Sequence, residues 1–187
     1  MARQKYGYAE SSALRTTNWG GHNLNAIDEA NILENGMLVK LGADVDVENR
    51  LAETPAETDE VYLVLDVILP YDESTTVGQA EYFHYPHEVG EPTRVYELFK
   101  NDRFAIADYM VTAPLAGEGK PCVVGNYLVT DGNRKYEEVA ADGFDPAQYG
   151  FAAVIQEITY KSNLTLYRLR VVKNKTVELD DSLEGKE

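Results

Sequence analysis

Apolar residues in this chain fall in short runs separated by turn formers. From residue 36 onward almost every run has the length and spacing of a β-strand. Gly36-Met37-Leu38-Val39-Lys40-Leu41-Gly42 is a brief apolar stretch between glycines. Residues 61–69 are apolar on both faces, the pattern of a central strand. Residues 94–99 and 104–111 follow, and Lys100-Asn101-Asp102-Arg103 predicts a tight turn joining them as a strand pair. Residues 122–129 lead to Asp131-Gly132, a hairpin signal that directs 136–139 back along 127–129. Residues 151–159 and 164–172 form a further pair. In the second, Tyr167, Leu169 and Val171 share one face and Arg168 and Arg170 the other.

Helical signal is weak. Residues 25–35, stopped by Gly36, predict one short helix, and residues 145–150 one helical turn. The acidic, turn-rich stretches 42–60 and 70–93 read as surface loops. Seven or eight short strands with no internal repeat predict an all-β fold: a small β-sandwich or β-barrel with an extended N-terminal arm and little helix.

The ends of the chain differ from its middle. Residues 1–25 hold Arg3, Lys5 and Arg15 against Glu10 alone, with Tyr6, Tyr8 and Trp19 among Gly, Ser, Thr and Asn. Trp19 is the only tryptophan in the chain, and a wholly solvated tail has little use for so much apolar area. The segment therefore reads as an arm that docks on something. Residues 26–176 form the β-rich globular domain. Residues 177–187, with five acids and one lysine, read as an acidic tail in solvent.

Length and charge narrow the function classes. The 187 residues suit one domain with a real core. Acids outnumber bases 32 to 17, for a net charge of −15, so the body lacks the basic footprint of a nucleic-acid binder. No apolar run reaches the ~20 residues that span a membrane. The N-terminus has no secretory h-region. Cytoplasmic synthesis in a reducing compartment is the expectation.

Candidate chemistry is sparse. The single cysteine, Cys122, excludes a disulfide framework, and its apolar neighbours argue for an inert buried thiol. His84 and His87 flank Pro86, which disfavours the helix that would bring both to a metal, so they read as solvated loop histidines. No serine sits in a Gly-x-Ser-x-Gly setting. Gly117-Glu118-Gly119-Lys120 has Pro121 where a phosphate loop needs Ser or Thr, and reads as a plain β-turn. Glu53, Glu57, Asp59 and Glu60, and the pair Asp44 and Asp46, read as a solvated acidic face. No cofactor, metal site or catalytic residue is expected, and the chain does not read as an enzyme. Of 13 tyrosines, Tyr62, Tyr96, Tyr109, Tyr127 and Tyr167 fall in strands and read as structural.

The order of these segments carries a resemblance. Ile32-Leu33-Glu34-Asn35-Gly36-Met37-Leu38-Val39, an acidic loop, Val61-Tyr62-Leu63-Val64, Pro70-Tyr71-Asp72-Glu73, residues 104–111 and Val123-Val124-Gly125-Asn126-Tyr127-Leu128-Val129 succeed one another. Over residues 30–160 this resembles the small capsid decoration (head auxiliary) proteins of tailed bacteriophages of Gram-positive hosts. The resemblance implies a structural virion protein on the capsid exterior that bridges major capsid protein subunits. It implies a homo-oligomer, a trimer being one form, with no nucleic-acid or membrane partner. An acidic body suits the outer face, and a basic arm suits an acidic shell. Arg3, Lys5, Tyr6, Tyr8, Arg15 and Trp19 are the expected capsid contacts. The alternatives are a β-sandwich module for carbohydrate or a host surface, with Tyr82, Phe83 and Tyr85 near Glu81 as its aromatic cluster, and a head–tail or tail component.

Overall fold

A computed structural model describes residues 6–15, 24–66, 86–117, 119–161 and 164–174. The described residues are nearly all β, in twelve strands plus one short 3-10 turn at Asp108–Met110. The strands are β1 (Ala9–Ala13), β2 (Leu24–Ile27), β3 (Leu38–Asp44), β4 (Asn49–Glu53), β5 (Tyr62–Val64) and β6 (Thr93–Glu97). They continue with β7 (Arg103–Ala107), β8 (Val111–Ala113), β9 (Tyr127–Thr130), β10 (Tyr136–Val139), β11 (Phe151–Lys161) and β12 (Leu164–Asn174).

They sort into two bodies. Strands β2-β4-β3-β5-β6 close into a small barrel, and β1-β7-β12-β11-β9-β10-β8 form an open sheet. Pairing is antiparallel except for β2–β4 in the barrel and β8–β10 in the sheet. The longest pair is β11–β12, where Tyr167, Leu169 and Val171 are buried and Arg168 is exposed, as the alternation predicts. The β9–β10 hairpin also forms as predicted, with Val139 opposite Tyr127. Asp131 organises its loop by accepting the Asn133 and Lys135 N–H groups.

Sheet and barrel share one core. Val39, Leu63 and Val95 from the barrel join Phe104, Ile106 and Leu169 from the sheet, all almost fully buried. Two polar clasps cross the junction. Arg134, in the β9–β10 loop at φ 71°, donates to Ala52 O and Thr54 Oγ1 at 3.2 Å each and pairs with Asp28 at 2.5 Å. Both side chains of that pair are under 10% exposed (8% and 6%). Its carbonyl also accepts the Leu38 N–H at 2.9 Å. Asn174, closing β12, accepts from Val61 N at 3.0 Å and donates to Val61 O at 2.9 Å and Leu98 O at 3.0 Å. Each clasp satisfies polar groups that would be costly to bury alone.

Several sequence expectations change. Residues 9–13 are not a free arm: they form β1 against β7, and Leu14 behind them is fully buried. The predicted helix over 25–35 is strand β2 followed by a turn in which Asp28 accepts the Ala30 and Asn31 N–H groups. Its stop residue, Gly36, is a turn glycine at φ +93°. The 42–60 loop contains the end of β3 and all of β4. The Lys100–Arg103 turn exists, with Asn101 at φ 77°, but it does not join paired strands. It carries the chain from β6 in the barrel to β7 in the sheet.

Candidate functional site

Of the six expected contact residues, Arg3, Lys5 and Trp19 lie outside the described residues. The other three are tied to their own body. The Tyr6 carbonyl accepts a 2.8 Å bond from the Tyr109 hydroxyl, which lies 103 residues later in the chain. Gly7 N donates to Glu34 Oε2 at 2.6 Å, and a Cβ at Gly7 would lie 2.5 Å from Asn35 O. The Tyr8 hydroxyl donates to Glu10, and Lys161 at the end of β11 donates to both Glu10 and Tyr8. Burial, then the Glu10 carboxylate, pushes the Tyr8 pKa up. Burial also works to raise the Glu10 pKa, but Lys161 and Tyr8 outweigh it and hold Glu10 below its ordinary range. The Arg15 N–H donates to Asp102 at 2.9 Å, and its guanidinium lies 5.2 Å from the Phe99 ring centre. The fold therefore gives the side chains of Tyr8 and Arg15, and the backbone of Tyr6, partners within the chain.

A second region presents apolar surface in a fixed form. Glu138 on β10 is only 4% exposed. Its carboxylate accepts Leu115 N and Val123 N at 2.8 Å each and Asn126 Nδ2 at 2.7 Å. One carboxylate thus holds both ends of the 115–123 loop. The Cys122 N–H is held by the Tyr167 hydroxyl at 3.1 Å. Above this polar base Leu115, Val123 and Val124 are 56%, 53% and 52% exposed. The backbone groups of Leu115, Cys122 and Val123, each held by a hydrogen bond, have little freedom left to lose on docking. Sequence reading missed the patch, because a buried glutamate in an acidic chain looks like any surface acid.

The third region is the outward face of the sheet, where Arg103 stands opposite Arg170 and Arg168 lies beside Glu157. It surrounds a cleft lined by Ser12, Arg103, Phe104, Gln156, Glu157, Arg168 and Leu169.

The remaining candidates resolve into structural parts. Cys122 is buried, and burial and the Glu138 carboxylate push its pKa up to about 12, so the thiol is a poor nucleophile. His87 is buried rather than solvated, and burial holds its pKa below the ordinary imidazole value. His84 and the Tyr82–Tyr85 aromatics lie outside the described residues. Asp44 pairs with Arg50 and Asp59 with Lys40, both at 3.3 Å, while Asp46 accepts Glu48 N and Asn49 N within its own turn. Lys120 N bonds Gly117 O at 3.0 Å, as a β-turn does. Among the described residues no group of His, Cys, Asp and Glu is placed to hold a metal ion. Tyr127, Phe144 and Tyr149 stack in series, with ring centres 3.9 and 6.0 Å apart.

No protein-family model matches the chain, and no curated protein or solved structure matches it.

Proposed function

We propose that this chain is a structural virion protein that binds the outer surface of a bacteriophage capsid and stabilises the shell by bridging major capsid protein subunits. The observation that carries the reading is the Leu115–Val123–Val124 patch. It is apolar, exposed and held in place from beneath by Glu138. Burial of such side chains contributes about 25 cal/mol per Å² of apolar area, and their fixed backbone keeps the ordering cost low. The net charge of −15 supports an exterior position, since packaged DNA repels an acidic body. The sequence resemblance supplies the partner. Contacts from several copies, or to several subunits, add through effective concentration, and they stabilise the assembled shell by mass action. Arg3, Lys5 and Trp19 remain contact residues in this reading. Tyr6, Tyr8 and Arg15 serve by fixing where the segment leaves the sheet.

The test is co-sedimentation of the full chain with expanded shells of the parent phage. Wild type binds saturably at a fixed ratio to capsid protein. Leu115→Asp with Val123→Asp lowers affinity at least tenfold, the loss expected when about 1.4 kcal/mol of apolar contact is replaced by charge. Deleting residues 1–5 together with Trp19→Ala isolates the share of these contacts, whereas deleting 1–25 would remove β1 and part of β2. Failure of the wild type to bind shells overturns the proposal.

A further inference from the structure

The outward sheet face is locally basic on a strongly acidic protein. Arg103, Arg168 and Arg170 lie on adjacent strands β7 and β12, and Arg15 follows the end of β1 beside them. Arg168 is paired with Glu157 at 3.1 Å, and Arg170 donates to Asn101 at 3.3 Å. Arg103 is exposed and its guanidinium has no hydrogen-bond or ion-pair partner among the described residues.

The cleft between these strands has a volume of about 180 Å³. Phe104 and Leu169 floor it, and both are almost fully buried. Two β-bulges converge on it. The β1–β7 register slips between Ser11 and Ala13, and the β11–β12 register slips between Ile155 and Glu157. The residues left over are Ser12 and Gln156, and both line the cleft. Bulges re-aim single side chains, and here two of them add a hydroxyl and an amide to the open Arg103 guanidinium and to the Arg168–Glu157 pair, whose carboxylate also lines the cleft.

We infer that this cleft is an oxyanion site that receives one carboxylate side chain, Glu or Asp, from a docking partner protein. Arginine presents a planar fork of donors that matches a carboxylate, and Arg103 is the fork left open. The volume suits one carboxylate head and its methylene stem, and falls below the roughly 300 Å³ at which pockets begin to hold a whole small-molecule ligand. The cleft is partly enclosed, with Phe104 and Leu169 among its lining residues. A carboxylate fixed in a protein interface gains from its neighbours' contacts. A long polyanion is disfavoured by the −15 body, whereas a single carboxylate at contact distance feels mainly charges within about 8 Å. The inference rests on the docking role proposed above but not on the partner being a capsid. Its test uses the isolated protein, so it can fail or hold independently of shell binding.

The experiment follows the arginine Nε–Hε NMR signals of the full chain, assigned with Arg103→Gln and Arg168→Gln. The probes are a blocked tetraglutamate peptide, its tetraglutamine counterpart and inorganic phosphate. The expected result is a saturable shift of Arg103 and Arg168 with tetraglutamate, none with tetraglutamine, and no movement of Arg50 or Arg94. Arg103→Gln weakens tetraglutamate binding about tenfold, and Arg103→Lys, which keeps charge but loses the fork, recovers only part of it. Uniform shifts across all arginines, no saturation, or unchanged binding by Arg103→Gln overturn the inference. So does saturation by phosphate alone, which would mark a small-ion site. Signals that move with protein concentration and no peptide would assign the cleft to a second copy of the chain and overturn it as well.

Discussion

The barrel and the open sheet are built from the same kinds of strand, yet they treat their edges differently. The barrel closes on itself, so β2 through β6 each have a neighbour on both sides. The sheet leaves β1 and β8 at its margins and a broad outward face. Closure removes the unpaired edge groups that invite other chains. The three features suited to docking are the Glu138-braced loop, the arginine face and the segment leading into β1. All belong to the sheet. Buried polar clasps hold the barrel to the sheet, and these three features lie on the sheet.

The strongest way to break this arrangement is at the first clasp. Arg134→Met leaves Asp28 buried without its partner and is expected to cost about 3–5 kcal/mol in urea denaturation. Adding Asp28→Asn recovers part of that loss, because Asn removes the stranded charge and keeps an acceptor for Ala30 and Asn31. A smaller break lies at the seam where the N-terminal segment meets the body. Gly7→Ala drives a methyl to 2.5 Å from Asn35 O and is expected to cost about 1–3 kcal/mol, read as a lowered urea midpoint.

Acid tests the bridge between Leu33 and His87. His87 exchanges backbone hydrogen bonds with Leu33, at 2.8 and 3.2 Å, and burial disfavours its charged form. Asp66 and Glu91 oppose that effect without overcoming it. The folded pKa lies below the unfolded value of about 6.5, so the unfolded chain takes up the proton more readily. Stability is therefore full above that pH and falls as pH drops through it toward the folded pKa. Thermal melts from pH 7.5 to 5 should show this, and His87→Gln should flatten it. The smallest effect belongs to the sheet's exposed face. Lys161→Ala removes the ion pair with Glu10 and is expected to cost only about 0.5 kcal/mol, less at high salt.

What the sequence showed and what it hid divide along physical lines. The β9–β10 and β11–β12 hairpins were legible because each is local and carries its own signal, Asp131-Gly132 in one and the Tyr167–Leu169–Val171 alternation in the other. Strand β1 was hidden because Ala-Glu-Ser-Ser-Ala has neither strand propensity nor apolar alternation. It is a strand because the edge of β7 offers it backbone partners. The helix expected over 25–35 failed for a related reason, since Leu24, Ala26 and Ile27 pair with β4 and β6 instead. The Lys100–Arg103 turn was recognised by its residue types, which fix the bend but not which sheet the chain enters next. Arg134, Glu138 and Asn174 were invisible as organisers because their partners, apart from a few neighbours of Glu138, lie far away in the chain. The same holds for the cleft: nothing local marks Ser12 and Gln156 as bulge residues.

The chain visits β1, leaves to build the whole barrel, and returns at β7 to complete the pair it began, with Ala9 opposite Ile106. Closing so long a loop in one step carries a large entropic penalty. The barrel shortens it, because its first and last strands are neighbours and Leu24 stands opposite Val95. Once β2 and β6 have met, only about 20 residues of connecting chain separate β1 from β7 instead of about 90, which lowers the closure cost by roughly 1.4 kcal/mol. The β2–β6 ladder thus does for the sheet what a cross-link would do, in a chain whose single cysteine can form no internal disulfide.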